Sequence, residues 1–579
     1  MTQSLLLFTF GPVQSFIARA RKTQDLYAGS YLLSHLARTA AQAMQASGGQ
    51  LIFPDVEYAS LPNRLLALYE TTEQEEQERI GLSIEKAVRR EFEEIGEHIL
   101  NALSLAKPRE FDSQLKKHLE IYWVFHPLSN DTYLEDYNSL TAYLWAVKRT
   151  RIFGQLIETG PKCTIGGEHN VVFYREKKSS KRFRTGLKLP DRIPQKFMKD
   201  GEGLGAVNFI KRCAEIYFEA QPESDFEKEF PSTARVAFMD TWHRLDQKEP
   251  EKKWPWQGIE EQLIFEMIEK NGDIPDIEVD EATREVYELV RNHKVCPYYA
   301  IVCFDGDDMG KLYGTPGIKQ GTSPLEFHKE LSRKLQRFAK VAAKEVIVWP
   351  KGQVVYAGGE DFLGFLNLKH LFEVMIELRE RFGQIDLAPF TDEKLTFSAG
   401  IAIAHFKSPP LYEVLKWARR MEQAAKDIDS GKDAFGLAVI KRSGEVNSSI
   451  YKWRAGNQWL PQIYNELVGH LQRREFSPSF IRYLNLSLSR LISDDGYFEG
   501  DEQIVKAEIK RLVGRASLLT EKNEEDKRVF GDGGDATTIT IEEMVNKVEM
   551  LYKNSQSQGI RNFFDALNIV AFLERVMEP

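Results

Sequence analysis

Three carboxylates in two short segments are the residues of this sequence best suited to do chemistry. Asp305 lies in CFDGDDMG (303–310), and Glu360 and Asp361 end AGGED (357–361). Clustered carboxylates repel one another and raise each other's pKa, and a divalent cation that prefers oxygen ligands removes that cost. These residue types therefore predict a site for Mg²⁺ or Mn²⁺, which can activate a hydroxyl and neutralise a leaving pyrophosphate.

The elements predicted around these residues bring the carboxylates together. An apolar strand at 299–304 ends at Asp305, and residues 353–366 have the pattern of a hairpin with AGGED at its turn. The first strand and this hairpin are neighbours in a β-α-β-β core. Either segment alone is also typical of an ordinary acidic turn, since Asp and Gly favour turns. The glycines that would let the backbone approach phosphate groups, because they carry no Cβ, are Gly306, Gly358 and Gly359.

The clearest order of elements lies between Cys296 and Val446. Apolar runs and amphipathic patterns alternate there as β-α-β-β-α-β-α-β, which is typical of a ferredoxin-like or palm core. A weaker copy begins at residues 4–10, which predict a strand, and continues with strands at 50–55 and 61–69 around helical patterns. The sequence therefore predicts an α+β, multidomain protein.

Composition excludes several classes of function. The chain has 579 residues, with 77 Lys and Arg against 86 Asp and Glu, so a strongly basic coat for nucleic acid is excluded while a local basic groove is not. Four scattered cysteines suit a reducing cytosol better than a disulfide scaffold. The absence of a long apolar run or a basic leader predicts a soluble, cytoplasmic protein without a membrane partner.

Longer motifs resemble a known family. FDGDDMG, AGGED and SAGIAIAHF resemble the palm polymerase and cyclase core that GGDEF diguanylate cyclases share. FTFGPVQSFIARARKTQDLYAGSYLLS and LPNR (61–64) resemble more closely the large subunit of type III-B (Cmr) CRISPR effector complexes, the Cas-ten group. The N-terminal segment is the most specific part, since diguanylate cyclases have nothing like it.

The resemblance implies four domains. They are a first, non-catalytic palm with a helical insertion at 1–155, a helical domain with a degenerate zinc module at 156–295, a second, catalytic palm at 296–446 and a helical C-terminal domain at 447–579. In the family the second palm binds ATP and metal and makes an adenylate second messenger when the complex captures target RNA, in antiviral defence. The implied partners are other Cmr-type subunits, CRISPR guide RNA, target RNA and ATP.

The family's motif assigns roles to individual residues. Asp305 and the Gly306 carbonyl would hold metal, and Glu360 and Asp361 would occupy the acidic positions of the family's GGDD turn. Ser398 and Lys426 are candidates for nucleotide contact. Two simpler interpretations stay open, because Ser398 could be a strand residue satisfied by backbone and Lys426 a solvated helix lysine.

The helical domain departs from the family at its zinc module. The paired C-x-x-C motifs correspond here to Cys163, Gly166, Gly205 and Asn208, so one thiol remains. Four-coordinate structural zinc needs four donors, so we expect none. None of the eleven histidines precedes an Asp, so a His-Asp nuclease domain and cleavage of single-stranded DNA are not expected.

The first palm is expected to lack chemistry of its own. Gly11 and Pro12 follow its first strand where Asp305 and Gly306 follow the strand of the second palm. Basic residues on its first helix could face phosphates or RNA, or form an ordinary basic helix face; they are Arg19, Arg21 and Lys22.

Three functions remain to be compared. The sequence favours an ATP-using nucleotidyltransferase of the oligoadenylate cyclase type inside an RNA-guided complex. Its alternatives are transfer of AMP to S-adenosylmethionine and a non-catalytic scaffold that binds partner proteins and RNA. The apolar pattern at 563–573 needs a surface to bury against, either on a partner or within the chain.

Overall fold

The structure is a computed structural model. It describes residues 3–577, apart from 59, 130–131, 151–157, 178–184, 223, 249–258, 273–278, 316, 493–497, 499 and 519–539. In these described parts of the chain, no helix is both long and apolar enough to cross a membrane.

The N-terminal part forms a four-stranded antiparallel sheet, the first palm sheet, with strand order β2-β3-β1-β4. Its elements are β1 (Gln3–Gly11), α1 (Gln14–Ala18), α2 (Thr23–Ala46), β2 (Gln50–Phe53), β3 (Arg64–Tyr69), α3 (Gln74–Ala102), α4 (Phe111–His118), β4 (Glu120–Leu128) and α5 (Tyr133–Arg149). The three strands predicted here are confirmed. Strand β4 was not predicted, and its half-exposed residues fit an edge strand.

A largely helical middle segment (residues 158–295) follows. Its elements are β5 (Phe173–Tyr174), β6 (Leu187–Lys188), β7 (Gly203–Leu204), α6 (Ala206–Phe218), α7 (Thr233–Lys248), α8 (Glu261–Glu269) and α9 (Glu281–Val290). The short strands form a sheet of order β6-β5-β7. Helix α6 packs against α2, α3 and α4, and every residue from Ala206 to Glu215 is buried. The middle segment therefore shares its core with the first palm sheet.

The second palm sheet has six strands in the order β13-β12-β11-β8-β10-β9. Its elements are β8 (Tyr298–Gly306), α10 (Met309–Gly314), α11 (Pro324–Val341), β9 (Gly352–Ala357), β10 (Asp361–Asn367), α12 (Leu371–Gly383), β11 (Phe397–His405), α13 (Leu411–Lys426), β12 (Ala434–Ile440) and β13 (Val446–Lys452). A π-helical turn, Ala342–Val346, continues α11. The predicted order of strands and helices is confirmed up to β12. Strand β13 was not predicted, and it begins where the sequence analysis ended the second palm; the four-domain division stays a prediction.

Both faces of the second palm sheet are buried. On β8, Tyr299, Ile301 and Cys303 belong to the core that includes the first palm sheet and the middle segment. Their neighbours Val302 and Phe304 belong to the core shared with α11, α12 and the C-terminal helices. Successive side chains of a strand point to opposite faces, so a strand buried on both sides reads as a continuous apolar run.

The C-terminal part is helical and packs on this sheet. It contains β14 (Arg454–Ala455), β15 (Gln458–Trp459), α14 (Leu460–Gln472), α15 (Ser479–Ser489), α16 (Glu502–Ala516), α17 (Ile541–Ser555) and α18 (Ile560–Val576). Helix α18 packs against β13 and α14, and Asn562 accepts a hydrogen bond from the Ile450 backbone N–H at 2.7 Å. The apolar pattern at 563–573 is therefore buried within the chain.

Helices and loops that flank the two palm sheets contact each other directly. The Gln336 side chain of α11 accepts a hydrogen bond from the Asp55 backbone N–H at 2.8 Å and donates one to the Asp55 carbonyl at 3.1 Å. The buried His328 Nδ1 lies 2.9 Å from the Tyr133 hydroxyl of α5. The first palm sheet thus contributes walls to any site at this end of the second.

Candidate active site

Strand register places two of the predicted carboxylates side by side. Asp305, near the end of β8, is paired with Asp361, the first residue of β10. Glu360 precedes Asp361 in the β9–β10 turn, and its backbone carbonyl accepts a hydrogen bond from the Gly306 N–H at 3.0 Å. The end of β8 and this turn therefore form one unit, in which the backbone fixes the spacing of the carboxyl groups.

The turn depends on its two glycines. Gly359 has φ +103°, a conformation that side chains with a Cβ rarely adopt. A Cβ on Gly358 would lie 1.6 Å from the Tyr356 hydroxyl, so this position leaves room for the tyrosine ring. The structure thus gives both glycines a role in shaping the turn, in addition to the predicted approach of phosphates.

The three carboxyl groups share a partly enclosed environment. The side chains of Asp305 and Asp361 are 35% and 31% exposed. Burial raises the pKa of Glu360 to about 7 and that of Asp361 to about 6, and repulsion from Asp305 adds to both shifts. Burial also raises the pKa of Asp305. The fold therefore holds these acids at a cost that a bound cation would lower.

Helix α13 supplies cations to these acids. Lys426 Nζ is paired with Asp305, and Arg419 Nη1 lies 3.4 Å from Asp361 and 2.8 Å from Glu422. Arg419, Glu422 and Lys426 are three and four residues apart, which puts them on one helix face. Of these three residues, only Lys426 was predicted as part of the site. The spacing of Arg419 and Glu422 from Lys426 along one helix could have predicted them too. Lys426 is a paired residue, not the solvated lysine of the simpler interpretation.

Ser398 lies next to Asp305 in the sheet but contacts another acid. Strand β11 pairs with β8 so that Ser398 lies opposite Asp305. The Ser398 hydroxyl, however, donates a hydrogen bond to Asp307 Oδ1 at 2.8 Å. The buried Asp307 also accepts hydrogen bonds from the Thr396 hydroxyl and the Asp433 N–H, at 2.8 and 3.0 Å. Asp307 therefore fixes the loop after β8, and the Ser398 hydroxyl serves that loop.

A cavity of about 280 Å³ opens beside Asp361. Residues from both palm sheets form it: α1 and the residue before it make one wall, while Asp361, Leu363 and Arg419 lie on the other. A cavity with convergent charged groups is the ordinary form of a small-molecule site. Asp361, the strand partner of Asp305, thus lies at the edge of a space large enough for part of a ligand.

The donor set at this cavity fits a divalent metal. Carboxylate oxygens are the ligands that Mg²⁺ and Mn²⁺ prefer, and the raised pKa values of Glu360 and Asp361 are the cost that such an ion would relieve. Across the described residues, no three His, Cys, Asp or Glu side chains are already close enough together to hold an ion. The residue types at this site therefore suit a divalent metal, but their side chains are not gathered around one point in this structure.

The first palm sheet carries other residues at the corresponding positions. Thr9 on β1 is paired with Arg64, the first residue of β3, and the Phe10 N–H donates to the Asn63 carbonyl at 3.4 Å. The register of the sheet therefore matches Thr9 with Asp305, not Gly11 as the sequence analysis had it. Asn63 and Arg64 correspond to Glu360 and Asp361, so these positions in the first sheet hold no carboxylate.

The positions that correspond to the family's zinc ligands lie together in the middle segment. Asn208 Nδ2 donates a hydrogen bond to Cys163 Sγ at 3.4 Å, and a Cβ on Gly166 would lie 2.8 Å from the same nitrogen. Gly205 is the residue before α6. One thiol and one amide do not provide the four donors that structural zinc needs, so these residues do not fit that metal.

The basic residues predicted on the first helix lie instead between the end of α1 and the start of α2, where they contact the middle segment. Arg19 is paired with Glu168, Arg21 lies 3.7 Å from Glu202, and Lys22 Nζ donates to the Lys196 carbonyl at 2.6 Å. These cations therefore join two parts of the chain and are not a free basic face.

Two family models match the chain. Residues 298–436 match the model described as Cas10/Cmr2, second palm domain, and residues 5–97 match the model described as CRISPR-associated protein Cmr2, N-terminal. The first range begins at β8 and ends in β12, so it contains Asp305, Glu360 and Asp361. The second range begins in β1 and ends in α3.

Whole proteins are similar over nearly the entire chain. The CRISPR system Cmr subunit Cmr2 of Pyrococcus furiosus is 24% identical, over 99% of this chain and 74% of that protein. A type III-B Cmr-beta structure in the apo state has a TM-score of 0.66 at 14% identity, covering 99% of this chain and 82% of the other. Cmr-beta bound to cognate target RNA has a TM-score of 0.64 at 15% identity, covering 96% and 83%.

The paired sheets and the matched models define a palm-domain protein. Within that class, the chain is similar to the Cas10/Cmr2 subunits of type III CRISPR effector complexes. The family resemblance predicted from the N-terminal segment and the acidic motifs is thereby confirmed.

Proposed function

We propose that the chain is a nucleotidyltransferase that uses ATP and a divalent metal within a type III-B effector complex. One observation carries this proposal: Asp305 and Asp361 are paired on neighbouring strands, and Asp361 lines a cavity between α1 and the second palm sheet. Polyphosphate substrates need metal-binding carboxylates and cations in the same place, and α13 supplies Lys426 and Arg419.

Asp305, Glu360 and Asp361 would hold the metal. When bound, it would supply charge neutralisation at the triphosphate and a lowered pKa for the attacking hydroxyl. Lys426 and Arg419 keep positive charge beside the carboxylates and are available to phosphate oxygens. Ser398 acts indirectly, because its hydroxyl holds Asp307 and thereby the loop after β8. Gly358 leaves room for the Tyr356 ring within the turn that carries Glu360 and Asp361.

The product is proposed to be an adenylate second messenger, a cyclic oligoadenylate. Transfer of AMP to S-adenosylmethionine uses the same donor and the same acids, so it is the alternative for the acceptor. Mass spectrometry of the product made from ATP, with and without S-adenosylmethionine, distinguishes them. A product mass that depends on S-adenosylmethionine would contradict the cyclic oligoadenylate.

The partners are proposed to be other Cmr-type subunits, guide RNA and target RNA. Support comes from the similar Cmr-beta structure, which is bound to cognate target RNA. With a net charge of -9, this chain alone has little to neutralise RNA phosphates, so other subunits would hold the RNA. Target capture would then shift an equilibrium between idle and competent arrangements of the two palm sheets.

The test compares ATP turnover by the lone chain, by the assembled complex and by the complex with target RNA. We expect slow turnover by the lone chain and the fastest by the complex with target. Equal rates in all three would contradict the regulatory part and leave a constitutive synthase. No turnover in any state would favour a non-catalytic scaffold, an alternative supported by the ion pairs that already neutralise Asp305 and Asp361.

A further inference from the structure

A buried lysine of the middle segment holds the short helix that walls the cavity at Asp361. Lys211, on α6, is 1% exposed. Its ammonium donates hydrogen bonds to the Phe16 carbonyl at 2.6 Å and to the Arg19 carbonyl at 2.5 Å. It also lies 4.9 Å from the centroid of the Phe16 ring. These contacts join α6 to the end of α1 and the residue that follows it.

The backbone of this segment leaves the two carbonyls for Lys211 to bind. A continuing helix would pair the Phe16 carbonyl with the N–H of residue 20, but the Ala20 N–H donates to the Ala18 carbonyl at 2.9 Å. Arg19 lies past the end of α1, before α2 begins at Thr23. Buried carbonyls without a donor are costly, so the lysine stabilises this particular path of the chain.

The fold makes room for the lysine stem. A Cβ on Gly29 of α2 would lie 2.9 Å from Lys211 Cδ, so a larger residue at 29 would push the lysine aside. Burial lowers the pKa of Lys211 to about 7, and a neutral amine still has two N–H donors for the two carbonyls. A methionine would fill the same space without donating to either carbonyl.

The next residue of α6 holds the other end of the same segment. Arg212 is paired with Asp25, with a second contact at 2.8 Å, and lies 3.3 Å from Glu202. Asp25 in turn accepts hydrogen bonds from the Arg21 and Lys22 N–H groups, at 3.0 and 3.1 Å. Consecutive residues of α6 thus fix the chain from Phe16 to Asp25, which connects α1 to α2.

We propose that Lys211 is a positioning residue for the reaction site, because it fixes α1 as the wall of the cavity opposite Asp361 and Arg419. This role rests on the proposed function, since it assumes that a nucleotide occupies that cavity. The α1 residues that line the cavity together with those two charged side chains are Gln14, Ser15, Ile17 and Ala18. Release of α1 would therefore widen the site without removing any group that would contact the metal.

The test uses the full chain with Lys211→Met, and Lys196→Met as the matched control. The Lys196 side chain is 61% exposed and pairs with Glu215, which lies on α6 as Lys211 does. Its replacement therefore removes a positive charge near α6 without changing a contact to α1. Hydrogen exchange of amides 14–20 should accelerate about tenfold in Lys211→Met, while α13 in the same protein and residues 14–20 in the control stay within about twofold. A non-hydrolysable ATP analogue with Mg²⁺ should bind about fivefold more weakly to Lys211→Met alone.

A second variant keeps the proposal testable if Lys211→Met does not fold. Gly29→Ala improves helix propensity but displaces the lysine stem, so faster exchange at residues 14–20 would have to come from the lost contact. Unchanged exchange in the folded variant would overturn the proposal. Faster exchange at residues 14–20 with unchanged affinity for the analogue would show that Lys211 only stabilises the structure. That result would also overturn the proposal. Failure of the wild-type protein to bind the analogue would instead overturn the proposed function, and this role with it.

Discussion

The first and second palm sheets place different side chains at the same positions of the same strand pairs. The corresponding residues are Thr9, Asn63, Arg64 and Tyr122 in the first, and Asp305, Glu360, Asp361 and Ser398 in the second. In each sheet the central strand lies between its two antiparallel partners, and a backbone hydrogen bond closes the turn in the same way. The strand pairing is therefore shared, while the side chains and the connection before the second partner strand differ, with residues 54–63 before β3 and residues 358–360 before β10.

Acidic charge is concentrated in the second palm sheet. The second sheet gathers carboxylates whose pKa values burial and repulsion raise, which is a cost to folding and an advantage to metal binding. The first sheet has an arginine at the position of Asp361, where it donates to the Tyr137 and Thr141 hydroxyls at 3.2 and 3.0 Å. The acidic positions of the second sheet thus correspond to neutral and basic residues in the first, and the proposed cation site belongs to the second sheet alone.

Removal of the acidic pair Glu360 and Asp361 should reduce ATP turnover more than any other change. Glu360→Ala combined with Asp361→Ala should lower ATP turnover by about 10³-fold or more, because two of the three proposed metal ligands are lost. Asn63→Ala, at the position in the first sheet that matches Glu360, should change turnover by less than about threefold. Turnover and complex assembly are measured together. Full turnover by the double variant would show that the acids are not the metal site.

A smaller effect concerns the loop after β8. Ser398→Ala should lower the free energy of unfolding by about 1–3 kcal/mol, since the buried Asp307 loses one of its hydrogen bonds. Ser448→Ala, at a half-exposed position of β13 in the same sheet, should cost less than about 0.5 kcal/mol. Urea unfolding measures both. If the variant has unchanged stability but a raised KM for ATP, Ser398 contacts the nucleotide, as the sequence predicted.

The cost of the acids should appear in the pH dependence of stability. The pKa of Glu360 is raised from 4.5 to about 7, so the native state binds this proton more tightly, and the carboxylate reduces stability as pH rises from about 4.5 to 7. Glu360→Gln should therefore raise the free energy of unfolding by about 1–2 kcal/mol at pH 8, after allowance for solvent screening, and by much less at pH 5.

The matched control for this pH experiment has the opposite sign. The Lys351 hydrogen bond lowers the pKa of Glu373, so Glu373→Gln should slightly reduce stability at pH 8. Urea midpoints at the two pH values measure both variants. A gain for Glu360→Gln that is equal at pH 8 and pH 5 would show that its carboxylate is not strained by its surroundings.

The smallest expected effect concerns the middle segment between the palm sheets. Because Cys163 and Asn208 offer one thiol and one amide, the purified protein should carry only a small fraction of a zinc ion per chain, and chelator treatment should leave its Tm unchanged. Metal analysis and thermal unfolding measure this. Stoichiometric zinc that resists the chelator would mean that other residues form the module.

The sequence predicts the second palm far better than the details that surround its site. Continuous apolar runs such as 299–304 and the helical spacing of α13 are strong signals because both are buried. The edge strand β13 is half-exposed and carries polar residues, so its pattern is weak. The edge strand β4 was missed although residues 121–125 form an apolar run. The residue types at the acidic turn were enough to predict the candidate metal ligands.

Register and side-chain partners could not be predicted in this way. The match of Thr9 with Asp305 depends on which residues of β1 and β3 pair, and the run of apolar residues in β1 does not determine that pairing. The contact of Ser398 with Asp307 depends on how the loop after β8 folds back over β11. The hydrogen bond from Lys211 to the Phe16 carbonyl joins residues far apart in sequence, so no local pattern predicts it.

The central claim is that the second palm sheet alone forms the metal-dependent reaction centre. Calorimetric titration of Mn²⁺ with a non-hydrolysable ATP analogue tests it most directly, on the wild-type chain, Asp305→Asn and Asn63→Ala. We expect Mn²⁺ affinity to fall at least about tenfold in Asp305→Asn, because one carboxylate ligand is lost, and to stay within about twofold in Asn63→Ala. Equal Mn²⁺ affinity in the wild type and Asp305→Asn would contradict the claim.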